Sequence, residues 1–200
     1  RNHYGENTAL LAQMVIRYED GTEETVVTDE SWNGADAPVV FAEIYDGEIY
    51  DAAKEIKDWA EADCKDGQWK PVRKLDYDFS VLTGQGSGKV SLMDEVKPKK
   101  IFRTPAGDTV IDFGQNMSAL IQVTAAGKKG DVIQLDCFEV LDSKGNVYLD
   151  NLRGAKESLQ YTFGEDETIT YRPSFTFMGF RYAKIVSFPG EPSLDNFTAN

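Results

Sequence analysis

Hydrophobic and polar residues alternate along most of this chain, and glycine and aspartate break the alternation at short intervals. Residues 8–31, TALLAQMVIRYEDGTEETVVTDES, run from an apolar stretch into alternation, through Asp20-Gly21, and into alternation again. Asp-Gly supplies the positive backbone angles of a tight turn, so this stretch predicts a two-stranded hairpin. Val39 to Tyr45, VVFAEIY, predicts a third strand. Residues 51–62 differ. Ala52, Ala53, Ile56, Trp59 and Ala60 fall at helical spacing and predict a short helix, marginal on its own.

Residues 82–98, LTGQGSGKVSLMDEVKP, change character to Gly, Ser and charge, and predict a domain boundary. Beyond them the apolar segments IFRT, TVIDFG, SALIQVTA, VIQLDCFEVL, VYLDNL, SLQYTF, TITYRPSF and FRYAKIVSF follow one another, with turns such as PAGD, GKKGD, DSKGN and GEDE between them. Many short strands with Gly or Asp turns predict an antiparallel sandwich or barrel. No period repeats and no segment is of low complexity.

Charge narrows the partners. Thirty-four acidic and 21 basic residues give a formal net charge of −13. A nucleic-acid surface needs clustered Lys and Arg to replace counterions, so that class is excluded, and an anionic membrane surface is disfavoured likewise. A neutral sugar, a metal ion or a protein partner stays open. With 41% hydrophobic residues the chain can bury a core without covalent staples. Cys64 and Cys137 are too few and too far apart for a disulfide framework, and predict thiols in a reducing compartment, favouring the cytoplasm over secretion. The sequence contains no signal peptide and no apolar run long enough to span a bilayer. It opens at Arg1 rather than Met and reads as an excised segment, so missing targeting signals say little about a parent protein.

Several short motifs invite chemistry. Asp112-Phe113-Gly114 has the letters that hold magnesium in a protein kinase, but a kinase also needs His-Arg-Asp, a strand lysine and a Gly-rich loop in order. The only histidine, His3, is not followed by Arg-Asp. The alternative is a strand with Val110, Asp112 and Gly114 on one face and Ile111 and Phe113 on the other, ended or bulged at Gly114. GQGSGK, residues 84–89, fails the phosphate-loop pattern in both glycine spacing and the residue after lysine, and reads as a linker. His3 has no Cys or His near it for a metal, and no Ser-His-Asp set forms around it.

Carboxylates are plentiful, and glycoside hydrolysis runs on a pair of them. In IYDGEIYDA, Asp46, Glu48 and Asp51 alternate with Tyr45 and Tyr50. Acidic oxygens with aromatic faces suit a calcium site or a sugar platform; a solvated turn with packed tyrosines is the alternative. Glu139 and Asp150 are candidates to face a partner domain. Asn151 and Arg153, in YLDNLRGA, read as a structural clamp, since arginine forks onto carboxylates.

Taken in order, IYDGEIYDA, VIDFGQNM, EVLDSKGN, YLDNLRGAKES and YRPSFTFMGFRYAKI resemble the bacterial α-L-rhamnosidases, a family of multidomain inverting glycoside hydrolases. RNHYGENTALLAQM and the hairpin VIRYEDGTEETVVTDESW resemble the end of that family's N-terminal sandwich, so the resemblance covers nearly the whole chain. It implies a mainly β fold with two antiparallel β-sandwich domains, jelly-roll and concanavalin-like, the first incomplete. Residues 1–90 would form the first and residues 91–200 the second, ending just before the family's catalytic α/α barrel. The catalytic acid and base would lie on that barrel, so no residue here is catalytic.

The resemblance makes Asp112, Gln115 and Asn116 structural or interfacial, with Glu139, Asn151 and Arg153 as further interface residues. Tyr45, Asp46, Glu48, Tyr50 and Asp51 are the carbohydrate-binding candidates. Some members bind rhamnose through calcium, for which Glu6-Asn7 is the nearest equivalent, with Glu6 where Asp is usual. No cofactor is required, and calcium is the one candidate. Ala53 and Gly154 stand where the family often has arginine and serine. The implied partners are a catalytic domain of the same chain and rhamnose-containing glycans or glycosides. Three roles remain open from the sequence: a brace for the catalytic domain, a calcium-dependent sugar-binding module, and a pure scaffold.

Overall fold

In the computed structural model, residues 7–62, 64, 67–88 and 90–200 are described. In chain order the strands are β1 Gln13–Arg17, β2 Glu23–Val27, β3 Asn33–Gly34, β4 Val39–Glu43, β5 Gly47–Asp51, β6 Lys70–Pro71, β7 Lys100–Arg103 and β8 Thr109–Ala119. They continue as β9 Ile121–Gly127, β10 Val132–Phe138, β11 Val140–Leu141, β12 Val147–Tyr148, β13 Ser158–Thr162, β14 Glu167–Tyr171, β15 Met178–Ser187 and β16 Phe197–Ala199. The chain divides into two compact units, residues 1–36 with 57–88, and residues 37–56 with 89–200. Among the described residues no helix is long and apolar enough to cross a membrane.

In the first unit β1 and β2 form the antiparallel hairpin that Asp20-Gly21 predicts, with Gln13 opposite Val27 and Arg17 opposite Glu23. Asp20 accepts from the backbone and hydroxyl of Thr22, which closes the turn. Among the described residues short strands accompany it, β3 pairing with β6.

The second unit is a sandwich. One sheet runs β4-β5-β13-β10-β15-β8-β7 and the other runs β14-β9-β16. Alternation on β10 sends Ile133, Leu135 and Cys137 into the space between the sheets, where they meet Val123 of β9, Leu159 of β13, Phe180 of β15 and Phe197 of β16. Burial raises the Cys137 thiol well above the ordinary range, which keeps it protonated and inert. A second cluster, Val110, Phe138 and Tyr182, lies on the outer face under Leu141, Val147 and Leu152, so residues 139–152 fold back as a cover.

By packing, residues 37–56 lie with the second unit, because β5 lies parallel to β13, with Gly47 opposite Ser158 and Asp51 opposite Thr162. Among the described residues every other strand pair is antiparallel, and a parallel neighbour over a hundred residues away leaves no local pattern to read. The helix expected over residues 51–62 is only a 3-10 turn, Ala52–Lys54. Ala52 packs against the core but Trp59 and Ala60 stay exposed, so the apolar stripe is not covered along its length, and a short helix without packing does not persist.

Candidate functional site: the loop end of the seven-stranded sheet

The register of the large sheet decides which loops share an end. β5 and β13 start at the same end, where β10 finishes and β15 begins. The turn 44–46, the segment 139–157, the corner 172–177 that crosses between the two sheets, and the later half of β8 therefore collect there. Most of the residues singled out from sequence lie in these pieces.

Tyr45 is exposed, and its carbonyl accepts from the backbone N–H groups of Lys156 and Glu157 at 3.1 Å each. Asp46 pairs with Lys156 Nζ at 3.1 Å. Glu48 turns inward and is only 1% exposed. It accepts from the Tyr171 hydroxyl and from the backbone N–H groups of Ser174 at 3.0 Å and Phe175 at 2.8 Å. Tyr50 and Asp51 lie toward the opposite end of β5. Tyr50 stacks on Tyr161 and donates to Glu55 at 2.6 Å, while Asp51 caps the 3-10 turn by accepting from Ala53 N–H at 3.1 Å. The five carbohydrate-binding candidates thus do not converge. Burial, then Glu55 and the charges around it, raises the Tyr50 hydroxyl; burial, then Glu48, raises that of Tyr171; burial with Glu167 and Glu55 pushes Tyr161 up to about 12.

The Asp-Phe-Gly motif is a bulge. Asp112 pairs with Tyr182 and Met117 with Phe180, so residues 113–116 of β8 oppose the single residue Arg181 of β15. Gly114, at φ +86°, lets the strand make this excursion and continue. Arg181 forks onto Asp112, Nε to Oδ1 at 3.0 Å and Nη2 to Oδ2 at 3.2 Å, and the Gly114 N–H adds a third donor at 2.7 Å. Burial alone would push the Asp112 carboxyl up; the Arg181 hydrogen bonds, the Gly114 N–H and the charges of Arg181 and Lys100 outweigh it and hold the group below the usual carboxylate range. A depressed folded value means its stabilisation is complete above about pH 4 and is lost as pH falls through the folded value. Arg181→Ala leaves the Asp112 carboxylate with the Gly114 N–H and is expected to destabilise the fold at neutral pH, by less than for a fully buried pair because Arg181 is 39% exposed. Urea melts from pH 6 to pH 2 should show a flatter acid limb for the variant than for the wild type.

Past the bulge, Gln115 is exposed at its crest. The Glu139 carboxylate is bridged from both sides, by Asn116 Nδ2 at 3.1 Å and Asn151 Nδ2 at 2.7 Å. Three of the interface candidates therefore form one constellation. Arg153 is exposed at φ +59° and ends the 3-10 turn Asp150–Leu152. Sequence reasoning missed Glu157, which sits at φ +48° with Oε2 buried and unpartnered. Burial pushes its carboxyl up, a hydrogen bond from the Gly179 N–H pulls it down, and the Glu139 charge pushes it up again. It also missed Arg181 and the Tyr171–Ser174–Phe175 clamp, whose partners lie far off in sequence.

Of the calcium pair, Glu6 lies outside the described residues, as does His3. Asn7 Oδ1 accepts from Arg73 Nη2 at 3.0 Å, so a cation already holds that oxygen. Among the described residues no group of three His, Cys, Asp or Glu is placed to hold a metal.

Residues 1–94 match the family model described as the α-L-rhamnosidase N-terminal domain, and residues 102–200 match the bacterial α-L-rhamnosidase concanavalin-like domain. The chain belongs to the α-L-rhamnosidase family. An α-L-rhamnosidase of Streptomyces avermitilis is 37% identical over 198 residues, covering 98% of this chain and 19% of that protein. Its crystal structure complexed with L-rhamnose superimposes with a TM-score of 0.90. The native α-L-rhamnosidase structure from Aspergillus terreus, 31% identical, also gives 0.90 and covers all of this chain and 23% of its own. The chain thus spans about a fifth of the curated rhamnosidases it matches. The family models part the chain by sequence order, whereas the fold moves residues 37–56 across that boundary.

For a rhamnosidase region, the distribution of carboxylates is informative. Among the described residues, two of the clefts on the second unit, of about 380 and 410 Å³, are each lined by one carboxylate, Glu191 in the first and Glu167 in the second. Glu48, Asp112 and Glu139 are each held by two or more donors of the chain itself.

Proposed function

We propose that this chain is an accessory, non-catalytic region of an α-L-rhamnosidase, and that it braces the catalytic domain of the same protein. The parent hydrolyses terminal α-L-rhamnosides with inversion, on an acid and a base supplied from outside these residues. The observation that carries this reading is the single carboxylate in each of these two clefts, since glycoside hydrolysis needs two across the scissile bond. The saturation of Glu48, Asp112 and Glu139 supports it, because a carboxylate clamped by its own chain is a poor acid, base or sugar ligand.

The test is removal of these residues from an intact rhamnosidase. The remainder is expected to lose soluble yield and thermal stability, with KM for a small aryl α-L-rhamnoside changing little in whatever folds. A remainder that stays fully soluble, stable and active would refute the bracing role.

A further inference from the structure

Building on that accessory reading, we propose that the loop end of the seven-stranded sheet is the surface that seats the rest of a rhamnosidase chain, which offers a cationic side chain to Glu157. Three aromatic side chains project from this end: Tyr45 and Phe175, each 68% exposed, and Phe177, 51% exposed. A soluble surface seldom gathers large apolar side chains in this way unless something covers them. Their neighbourhood follows from the hydrogen bonds that tie the loops together. Thr176 Oγ1 donates to the Glu43 carbonyl at 3.4 Å, and the Tyr45 carbonyl receives the Lys156 and Glu157 N–H groups.

The patch is also rigid. The Ser174 and Phe175 N–H groups are fastened to the buried Glu48 carboxylate, so the aromatic loop is fixed before anything binds. Pre-fixed anchors lose little conformational entropy on association. Beside them, Glu157 keeps a buried carboxylate oxygen with no partner, next to the Glu139 charge. Such an oxygen is costly until a donor arrives, and arginine or lysine is the donor that also answers two carboxylates. Aromatic anchors around one desolvated charge pair form the usual centre of a strong interface.

The fold decides among occupants. It is embedded at a TM-score of 0.90 in chains about five times as long, so the bulk that could cover this end is the rest of such a chain. A second copy would bring Glu157 and Glu139 against their own counterparts on a molecule of net charge −13, and an anionic lipid surface would be repelled in the same way.

The experiment is hydroxyl-radical footprinting of an intact rhamnosidase carrying these residues, native against urea-unfolded. Oxidation of Tyr45, Phe175 and Phe177 should fall by about tenfold in the native chain, as at a water-excluding interface core. Glu157→Gln should raise labelling of Phe175 and Phe177 about threefold, a loss of one charged contact, while buried Phe113 stays protected. Free labelling of the three aromatics with another face of this region protected overturns this site and leaves the accessory reading standing. Free labelling of every exposed aromatic of the region overturns both. Protection that disappears on dilution assigns the surface to a second copy and overturns the proposal. Unchanged labelling in Glu157→Gln overturns the role given to its carboxylate.

Discussion

Gly47→Ala is expected to abolish folding of the second unit. Gly47 starts β5 at φ +103°, and a Cβ there would lie 1.8 Å from the Ser158 carbonyl oxygen and 2.8 Å from the Ser158 nitrogen. These are backbone atoms of β13, the strand that β5 joins in parallel, so no side chain can swing aside. Either β5 leaves the sheet or β13 shifts along β10. The cost should exceed about 4 kcal/mol, a large share of what a typical domain has in reserve. The readout is soluble yield and the presence of a cooperative thermal transition. Gly130→Ala is the matched control: its φ is +86° but nothing lies within 4 Å of the added carbon. That variant should lose only about 1 kcal/mol, the strain of a left-handed backbone. If Gly47→Ala melts within a few degrees of Gly130→Ala, β5 does not join the sheet in this register.

The next residue gives the second large effect. Glu48→Ala leaves the Tyr171 hydroxyl and the Ser174 and Phe175 N–H groups without their acceptor, with the tyrosine already buried against Tyr50 and Tyr161. Unsatisfied buried donors cost about 1 to 3 kcal/mol each, and water entering the gap recovers part, so the expected loss is about 3 kcal/mol. For a unit of this size that lowers the melting temperature by about 10 °C. Glu48→Gln should lose less, since it keeps one oxygen acceptor, though its amide faces a donor. Tyr171→Phe removes one of the three donors, so combining it with Glu48→Ala should cost less than the two single losses added together. Strict additivity would mean that the two residues do not act as one clamp.

These two neighbours explain how much of the molecule the sequence disclosed. The β1–β2 hairpin was legible because Asp20-Gly21 is a local instruction, and β8, β9, β10, β13 and β15 were legible because alternation is local too. IYDGEIYDA was conspicuous, but its meaning was not. Its acids and tyrosines suggest a ligand, whereas Gly47 serves close backbone approach and Glu48 ties the corner of the sandwich. Their partners, Ser158 and the 171–175 segment, are more than a hundred residues away, and no spacing rule reaches that far. The same holds for Asp112, whose partner Arg181 is fixed only by the bulge between β8 and β15. The grouping of Asn116, Glu139 and Asn151 was half legible: the residues stood out singly, and the sheet register brought them together. The 51–62 helix failed for the reverse reason, since its local pattern was present and the packing it needed was not.

The most direct test of the central claim is an activity assay of the 200-residue chain alone with an aryl α-L-rhamnoside. Glu48, Asp112 and Glu139 are spent on the chain's own architecture and each of the two clefts described above holds one carboxylate, so no release of the aryl group above buffer is expected at any pH. Saturable turnover that survives repurification and disappears on replacing a single carboxylate of this chain would contradict the account.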